Sequence, residues 1–425
     1  MIGFAGLSHL GLNYSLATAA KGFDVVAFDP DRELVERLRA GNFPIEEPGF
    51  AELHGQHRLR LHYTADPADL KMCALVFYSL DVRTNERNEA DLAPLRALID
   101  GTADTLAPQA IVVVLSQLRP GSARELAARL AARPEVEISA FYCQVETLIF
   151  GAAVQRAMEP ERFIIGASDP SQPLPAPYRR WLEAFGGPIL VMRYESAELA
   201  KIAINFFLVS SVSTTNTLAE VCEAIGADWK EIAPALRLDR RIGPHAYLSP
   251  GLGIAGGNLE RDLVTVQGLA AVHGTEAGLV AAWQRNSTWR RDWVLRKVHR
   301  EFLDQASDPL LAMWGLAYKA DTHSTKNSPA LELLRGLRGL RVRAHDPVAK
   351  IELSEFPSVA IGATPLEAAD GADALLVMTP WKIYSGISPD EAKSRMRGRL
   401  VLDPWGALDG AAWRAAGFTY HRLGC

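Results

Sequence analysis

The chain has 425 residues, of which 48% are hydrophobic and 22% charged, with a formal net charge of −5. That length calls for two or three domains, and the composition supplies packed cores and excludes a disordered chain. The mild acidity excludes a global attraction for nucleic acid or anionic membrane, so any anion site must be a local cluster of cations. Ile2–Ala5 reads as a buried strand running straight into a glycine turn rather than as a cleavable signal, residues 12–21 as a helix and 24–28 as a second strand. Strand-like runs recur at 74–78, 111–115 and 162–165, and strands alternating with helices indicate a parallel sheet. A proline-free helical pattern fills 195–225 and is closed by Gly226, a C-cap residue. Helical segments follow at 229–236, 259–272 and 276–304. Alternation returns with Leu310–Trp314, a helix at 330–337, and strands at Arg341–His345, 374–378 and Leu400–Leu402.

No apolar run is read as long enough to cross a bilayer, so a cytoplasmic protein is expected. Cys73, Cys143, Cys222 and Cys425 are scattered, without metal-ligand spacing or a disulfide-rich pattern, so no metal is expected. Gly6-Leu7-Ser8-His9-Leu10-Gly11 follows the first strand and opens a helix, and Asp29 ends the second strand 18 residues after Gly11. Such a turn needs glycine for its bend and for helix–strand packing, and it sets a dinucleotide pyrophosphate on the helix N-terminus. A terminal acid accepts from ribose hydroxyls and repels a 2′-phosphate, which favours NAD over NADP. Ser8 takes the place of the middle glycine. It is small enough for the cofactor still to bind, with weakened affinity. The expected fold is therefore α/β: an N-terminal Rossmann domain (1–192), a central helical domain with a long helix (193–306) and a C-terminal Rossmann-like α/β domain (307–425).

On the long helix, Glu198, Lys201 and Asn205 are spaced three and four apart and share one face. By itself this pattern is the solvated face of a surface helix. The string Ala197-Glu198-Leu199-Ala200-Lys201-Ile202-Ala203-Ile204-Asn205, however, resembles the E-L-x-K-x-x-x-N segment of the UDP-glucose/GDP-mannose dehydrogenase family. Pro250-Gly251-Leu252-Gly253-Ile254-Ala255-Gly256-Gly257-Asn258-Leu259-Glu260-Arg261-Asp262 resembles that family's P-G-x-G-F-G-G-S-C-F-P-K-D signature, with Asn258 at the cysteine. Gln144-Val145-Glu146-Thr147-Leu148-Ile149-Phe150-Gly151 resembles N-P-E-F-L-x-E-G, with Phe150 at the second glutamate. Gly315-Leu316-Ala317-Tyr318-Lys319-Ala320-Asp321-Thr322 resembles G-x-x-F-K-x-D-T, and Asp239-Arg240-Arg241-Ile242-Gly243 resembles D-x-R-I-G. The family's S-T-V-P-V-G-T becomes Ser116-Gln117-Leu118-Arg119-Pro120-Gly121-Ser122, and its T-P pair beside the nicotinamide becomes Ser79-Leu80-Asp81. Thr379-Pro380-Trp381 echoes T-E-W, while D-G-R-N appears as Asp403-Pro404-Trp405-Gly406, so one cation is missing. These matches run through nearly the whole chain in the right order.

The resemblance implies an NAD-dependent enzyme that oxidises a nucleotide-sugar and assembles as a homodimer on its central helices. It places Lys201 and Asn205 at the sugar, where an ammonium stabilises a developing alkoxide. Asp262 orients or activates water beside Arg261, which stands in place of a lysine. Glu146 positions water or acts as a base. Further substrate contacts fall on Arg241, Leu248, Gly251, Gly253, Tyr318 and Lys319, and cofactor contacts on Gly6 to Gly11, Asp29, Ser116, Gln117 and Lys326. The family oxidises C6 twice and holds the sugar as a cysteine thioester between the two steps. Asn258 cannot attack a carbonyl, so a thioester is not expected. A single oxidation needs no covalent bond to protein. Two alternatives stay open: a noncatalytic pseudoenzyme that binds NAD and nucleotide-sugar, and a slow two-step dehydrogenase working through an aldehyde hydrate. Cys143, three residues from Glu146, is a candidate substitute thiol.

Overall fold

Eight short strands alternate with helices over the first half of the chain. They are β1 (Ile2–Ala5), β2 (Val25–Phe28), β3 (Leu61–Thr64), β4 (Leu75–Tyr78), β5 (Ala110–Val114), β6 (Ile138–Gln144), β7 (Phe163–Ala167) and β8 (Ile189–Arg193). The computed structural model describes residues 1–85, 88–255, 257–301 and 308–425. The first sheet has the order β3-β2-β1-β4-β5-β6-β7-β8, parallel throughout except at β6–β7. Successive side chains feed two cores, one on each face: Phe4 and Phe77 stack at 4.9 Å beside Trp181 on one side, and Val26, Val76 and Tyr78 pack on the other. Burial on both faces explains why these strands read as continuous apolar runs rather than alternating ones.

The second half carries β9 (Leu310–Trp314), β10 (Arg341–His345), β11 (Val359–Ile361), β12 (Ala374–Val377), β13 (Leu400–Leu402) and β14 (Thr419–His421). They form a parallel sheet of order β11-β10-β9-β12-β13-β14. Both sheets therefore reverse strand order beside their first strand, the place where doubly wound folds bind ligands. By contacts the chain divides into Met1–Ile204 and Asn205–Cys425, and the boundary falls inside the helix Tyr194–Ile225.

Several expectations are corrected. The first helix is His9–Ala20 and begins at His9 rather than at 12, because Ser8 takes the N-cap position and its carbonyl accepts the Leu12 N–H. The 276–304 segment is broken into Gly278–Arg291 and Trp293–Glu301, and the end of the expected span lies outside the described residues. Contrary to the sequence reading, Tyr194–Ile225 is long and apolar enough to cross a membrane by length and composition alone. Glu198, Lys201 and Asn205 along it all bond to protein groups, which is how a core helix behaves.

Candidate active site

The turn after β1 fits a dinucleotide. Gly6 has φ 94°, and a Cβ on Gly11 would stand 1.9 Å from the Gly6 carbonyl oxygen. Both positions require glycine, and the helix consequently starts flush against the strand. Asp29, 7% exposed at the end of β2, accepts the Leu7 N–H on Oδ2 at 2.7 Å and the Asp31 N–H on Oδ1 at 3.0 Å. Burial raises its carboxyl above the ordinary aspartate value, and these amide bonds oppose the rise. Each oxygen keeps a lone pair for a ribose hydroxyl.

Ser8 ties this turn to the segment after β4. Its Oγ donates to the Ser79 carbonyl at 3.1 Å and accepts the Asp81 N–H at 2.8 Å. The Asp81 carboxylate in turn accepts the Leu10 N–H at 3.2 Å. His9 lies against Phe150 with ring centroids 4.3 Å apart, and its Nε2 is 2.7 Å from Glu47 Oε1. Glu47 also accepts the N–H groups of Gly151 and Ala153. The sequence reading missed Glu47, for which only the acidic pair before Pro48-Gly49 was a signal.

Beyond β5 and β6 a narrow cleft is lined by Ser116, Cys143, Gln144, Glu146, Glu198 and Lys201, among others. Lys201 Nζ donates to the Glu146 carbonyl at 3.0 Å and lies 3.5 Å from Glu146 Oε1. Glu146 Oε2 accepts the Leu148 N–H at 2.8 Å. Two residues expected together are thus in contact. Ser116 Oγ donates to the Leu80 carbonyl at 2.6 Å, and Gln117 borders the same cleft. Burial pushes the Cys143 thiol far up. It is therefore no thiolate at neutral pH, and the substitute-thiol expectation is withdrawn.

Glu198 is engaged by backbone amides rather than by solvent. It accepts the Gly121 N–H on Oε2 and the Ala123 N–H on Oε1, both at 2.7 Å, and so caps the helix Ser122–Ala131. Burial raises its carboxyl from 4.5 to about 7 despite these bonds. The folded protein holds this proton at pH values where the unfolded chain has released it. Its contribution to stability is therefore fully present below pH 4.5 and lost as pH rises through about 7. Between those values the thermal midpoint of the wild type is expected to fall relative to Glu198→Gln. Midpoints that stay parallel at every pH would remove Glu198 as the titrating group.

In the second unit, Asn258 is the exposed first residue of the helix Asn258–His273, after Gly257 at the N-cap. Gly256 of the signature lies outside the described residues. One turn on, Asp262 is 2% exposed. It accepts from Asn205 Nδ2 at 2.6 Å and lies 3.5 Å from Arg261 Nε. Asn205 and Asp262, 57 positions apart, are thereby brought together. Glu260 bonds the Asn327 carboxamide, and burial raises its carboxyl to about 7.

The preceding loop hangs on side chains that the sequence did not flag. Trp229 Nε1 donates to the Leu248 carbonyl at 2.6 Å, Asn216 Oδ1 accepts the Gly251 N–H at 2.8 Å, and Ser287 Oγ accepts the Ile254 N–H at 2.7 Å. Gly253 adopts φ 74°, and a Cβ there would meet the Ser287 carbonyl at 2.4 Å. Arg241 is not drawn into the Asn205–Asp262 cluster: its side chain is 89% exposed and pairs with Asp239 at 2.7 Å.

Lys319 Nζ lies 5.7 Å from the Tyr318 ring centroid, and burial raises the Tyr318 phenol. Lys326 is exposed, its backbone N–H on Ser324 Oγ. Trp405 turns its indole onto Gly251 and donates from Nε1 to the Met378 carbonyl at 2.9 Å. It borders a cleft that also presents Lys230, Arg237 and Arg422. Positive charge is therefore kept here without the arginine of D-G-R-N, and these cations were missed because no motif marks them.

A glycine turn and terminal acid on one parallel sheet, followed by a second parallel sheet, define the class of two-Rossmann NAD-dependent oxidoreductases. The chain belongs to the UDP-glucose/GDP-mannose dehydrogenase family. That family's NAD binding domain matches residues 1–180, its central domain 195–287 and its UDP binding domain 312–410. The chain is 29% identical to a UDP-glucose 6-dehydrogenase of Pseudomonas aeruginosa over 99% of its own length and 96% of that protein. It is 26% identical to the UDP-glucose 6-dehydrogenase TuaD of Bacillus subtilis, over 100% and 93% of the two chains. The solved UDP-glucose dehydrogenase of Pyrobaculum islandicum superposes with a TM-score of 0.83 at 27% identity, covering 97% of each chain.

Proposed function

We propose that the protein oxidises a hydroxyl of a nucleotide-sugar with NAD and does so without a covalent thioester. The observation that carries this reading is Asn258 at the start of its helix, where the family signature has cysteine, in a chain that keeps the Lys201–Glu146 and Asn205–Asp262 contacts. The uridine-diphosphate sugars named for the relatives are the first substrates to try.

Bound NAD supplies the hydride acceptor. The Gly6 to Gly11 turn and Asp29 hold it, with Ser116, Gln117 and Lys326 as further contacts. Glu146 takes up the hydroxyl proton directly or through water, and Lys201 stabilises the alkoxide as it forms. Asn205 positions the sugar, and Asp262 fixes the Asn205 carboxamide. Arg241, Leu248, Gly251, Gly253, Tyr318 and Lys319 are assigned to the nucleotide-sugar. A carboxamide at position 258 has its nitrogen lone pair delocalised into the carbonyl and adds to no aldehyde. The carbonyl compound therefore leaves as product or is reduced again at the same carbon.

The test is to incubate the pure protein with NAD and a panel of UDP-, GDP-, CDP- and dTDP-sugars, reading product mass and NADH per sugar. A carbonyl product or an epimer is expected. Uronic acid with two NADH per sugar, formed as fast as the first oxidation, would overturn the proposal. We also propose the domain limits 1–192, 193–306 and 307–425, and a homodimer. The exposed Phe207 (78%) and Ile225 (71%) on the long helix support the dimer, and light scattering at the chain's doubled mass tests it.

A further inference from the structure

We propose that Ser8 and Asp81 form an anionic latch over the phosphate-binding end of the cofactor helix, and that this latch sets the protein's affinity for NAD. The inference rests on the NAD-binding domain established above. The first amides of an α-helix lack carbonyl partners, and together with the helix dipole they make the anion site of a Rossmann turn. In His9–Ala20 that site already has an anion. The Asp81 carboxylate accepts the Leu10 N–H at 3.2 Å, and the Asp81 backbone N–H is held on Ser8 Oγ at 2.8 Å.

Ser8 is the hinge of the arrangement. Its hydroxyl both accepts from Asp81 and donates to the Ser79 carbonyl. Ser79 Oγ adds a bond to the Gly6 carbonyl at 2.9 Å. The strand end and the glycine turn are thus tied together through a side chain that a glycine at position 8 would not have. A dinucleotide brings a pyrophosphate to the same amides. Its charge and the Asp81 carboxylate repel at close range, so Asp81 must swing away before the phosphates seat. Asp81 is exposed and can do so without disturbing the core. Opening this contact lowers the measured affinity for NAD. The same contact blunts the helix end toward other anions.

Isothermal titration of the full-length protein with NAD tests this, with inorganic pyrophosphate as a second titrant. Asp81→Ala is expected to tighten NAD binding about three- to tenfold, the size of one carboxylate at a helix N-terminus plus its repulsion of phosphate. Pyrophosphate binding should tighten with it. Asp81→Asn, which keeps an acceptor but no charge, falls between wild type and alanine, and Ser8→Gly tightens binding by freeing the segment. Unchanged or weaker NAD binding in Asp81→Ala overturns the latch and makes Asp81 a cofactor ligand or a bystander. Failure of NAD to bind wild type and every variant overturns the cofactor reading itself, so the two failures are distinguishable.

Discussion

Lys201→Met is expected to lower kcat by about 10²- to 10³-fold, the usual loss when one donor to a developing oxyanion is removed, while NAD binding stays near wild type. The ammonium is anchored on the Glu146 carbonyl at 3.0 Å and stands 3.5 Å from the Glu146 carboxylate, inside a cleft rather than on a free helix face. On the proposed reading it is held where a proton leaves and charge appears. An alkoxide exists only as the hydroxyl loses its proton, so the interaction is stronger in the transition state than with bound substrate. The loss accordingly falls on kcat more than on KM. Methionine keeps the apolar stem and its packing, which separates charge loss from cavity formation. Lys201→Arg keeps the charge on a larger planar fork and is expected to recover only part of the rate. Steady-state NADH formation, with circular dichroism to confirm the fold, reads the effect. A Lys201→Met enzyme within about threefold of wild-type kcat would remove Lys201 from the chemistry and leave it a partner of Glu146.

The parts of this molecule that chemistry constrains locally were legible in the sequence. Gly6, Gly11 and Asp29 could be read because the turn admits few residues, and β1, β4 and β5 because strands buried on both faces must be apolar. β6 was missed since Ile138–Gln144 begins half-buried and carries Ser139 and Gln144. β11 and β14 are three-residue strands at the edges of the second sheet, too short to show a period. The helical face of Glu198, Lys201 and Asn205 was foreseen, but not its destinations. Glu198 reaches amides some 75 positions away and Asn205 reaches a carboxylate 57 away. Spacing along one helix cannot encode a partner on another element. Glu47 was missed for the same reason, and Asp81 was legible only as part of the segment that replaces the family's T-P pair, because each acts on backbone amides of a distant segment.

Asn258→Cys is expected to change the product itself, from a carbonyl compound to the uronic acid with two NADH per sugar. Position 258 opens the helix Asn258–His273 and is exposed. A cysteine there gains from the helix N-terminus, which stabilises a thiolate, and displaces no packed neighbour. The thiolate adds to the aldehyde carbon, and its oxygen takes up a proton. The resulting thiohemiacetal can give up hydride to a second NAD and become a thioester. Water then cleaves the carbon–sulfur bond, releasing acid and regenerating the thiol. On the proposed reading the wild type stops earlier because its carboxamide forms no such adduct. Intact-protein mass after rapid quenching should show the sugar nucleotide attached to the Asn258→Cys chain and absent from the wild type. A variant that folds, binds NAD and still gives the wild-type product with no adduct would show that position 258 does not reach the reacting carbon. The departure from the family would then lie in how the sugar is held rather than in the missing nucleophile.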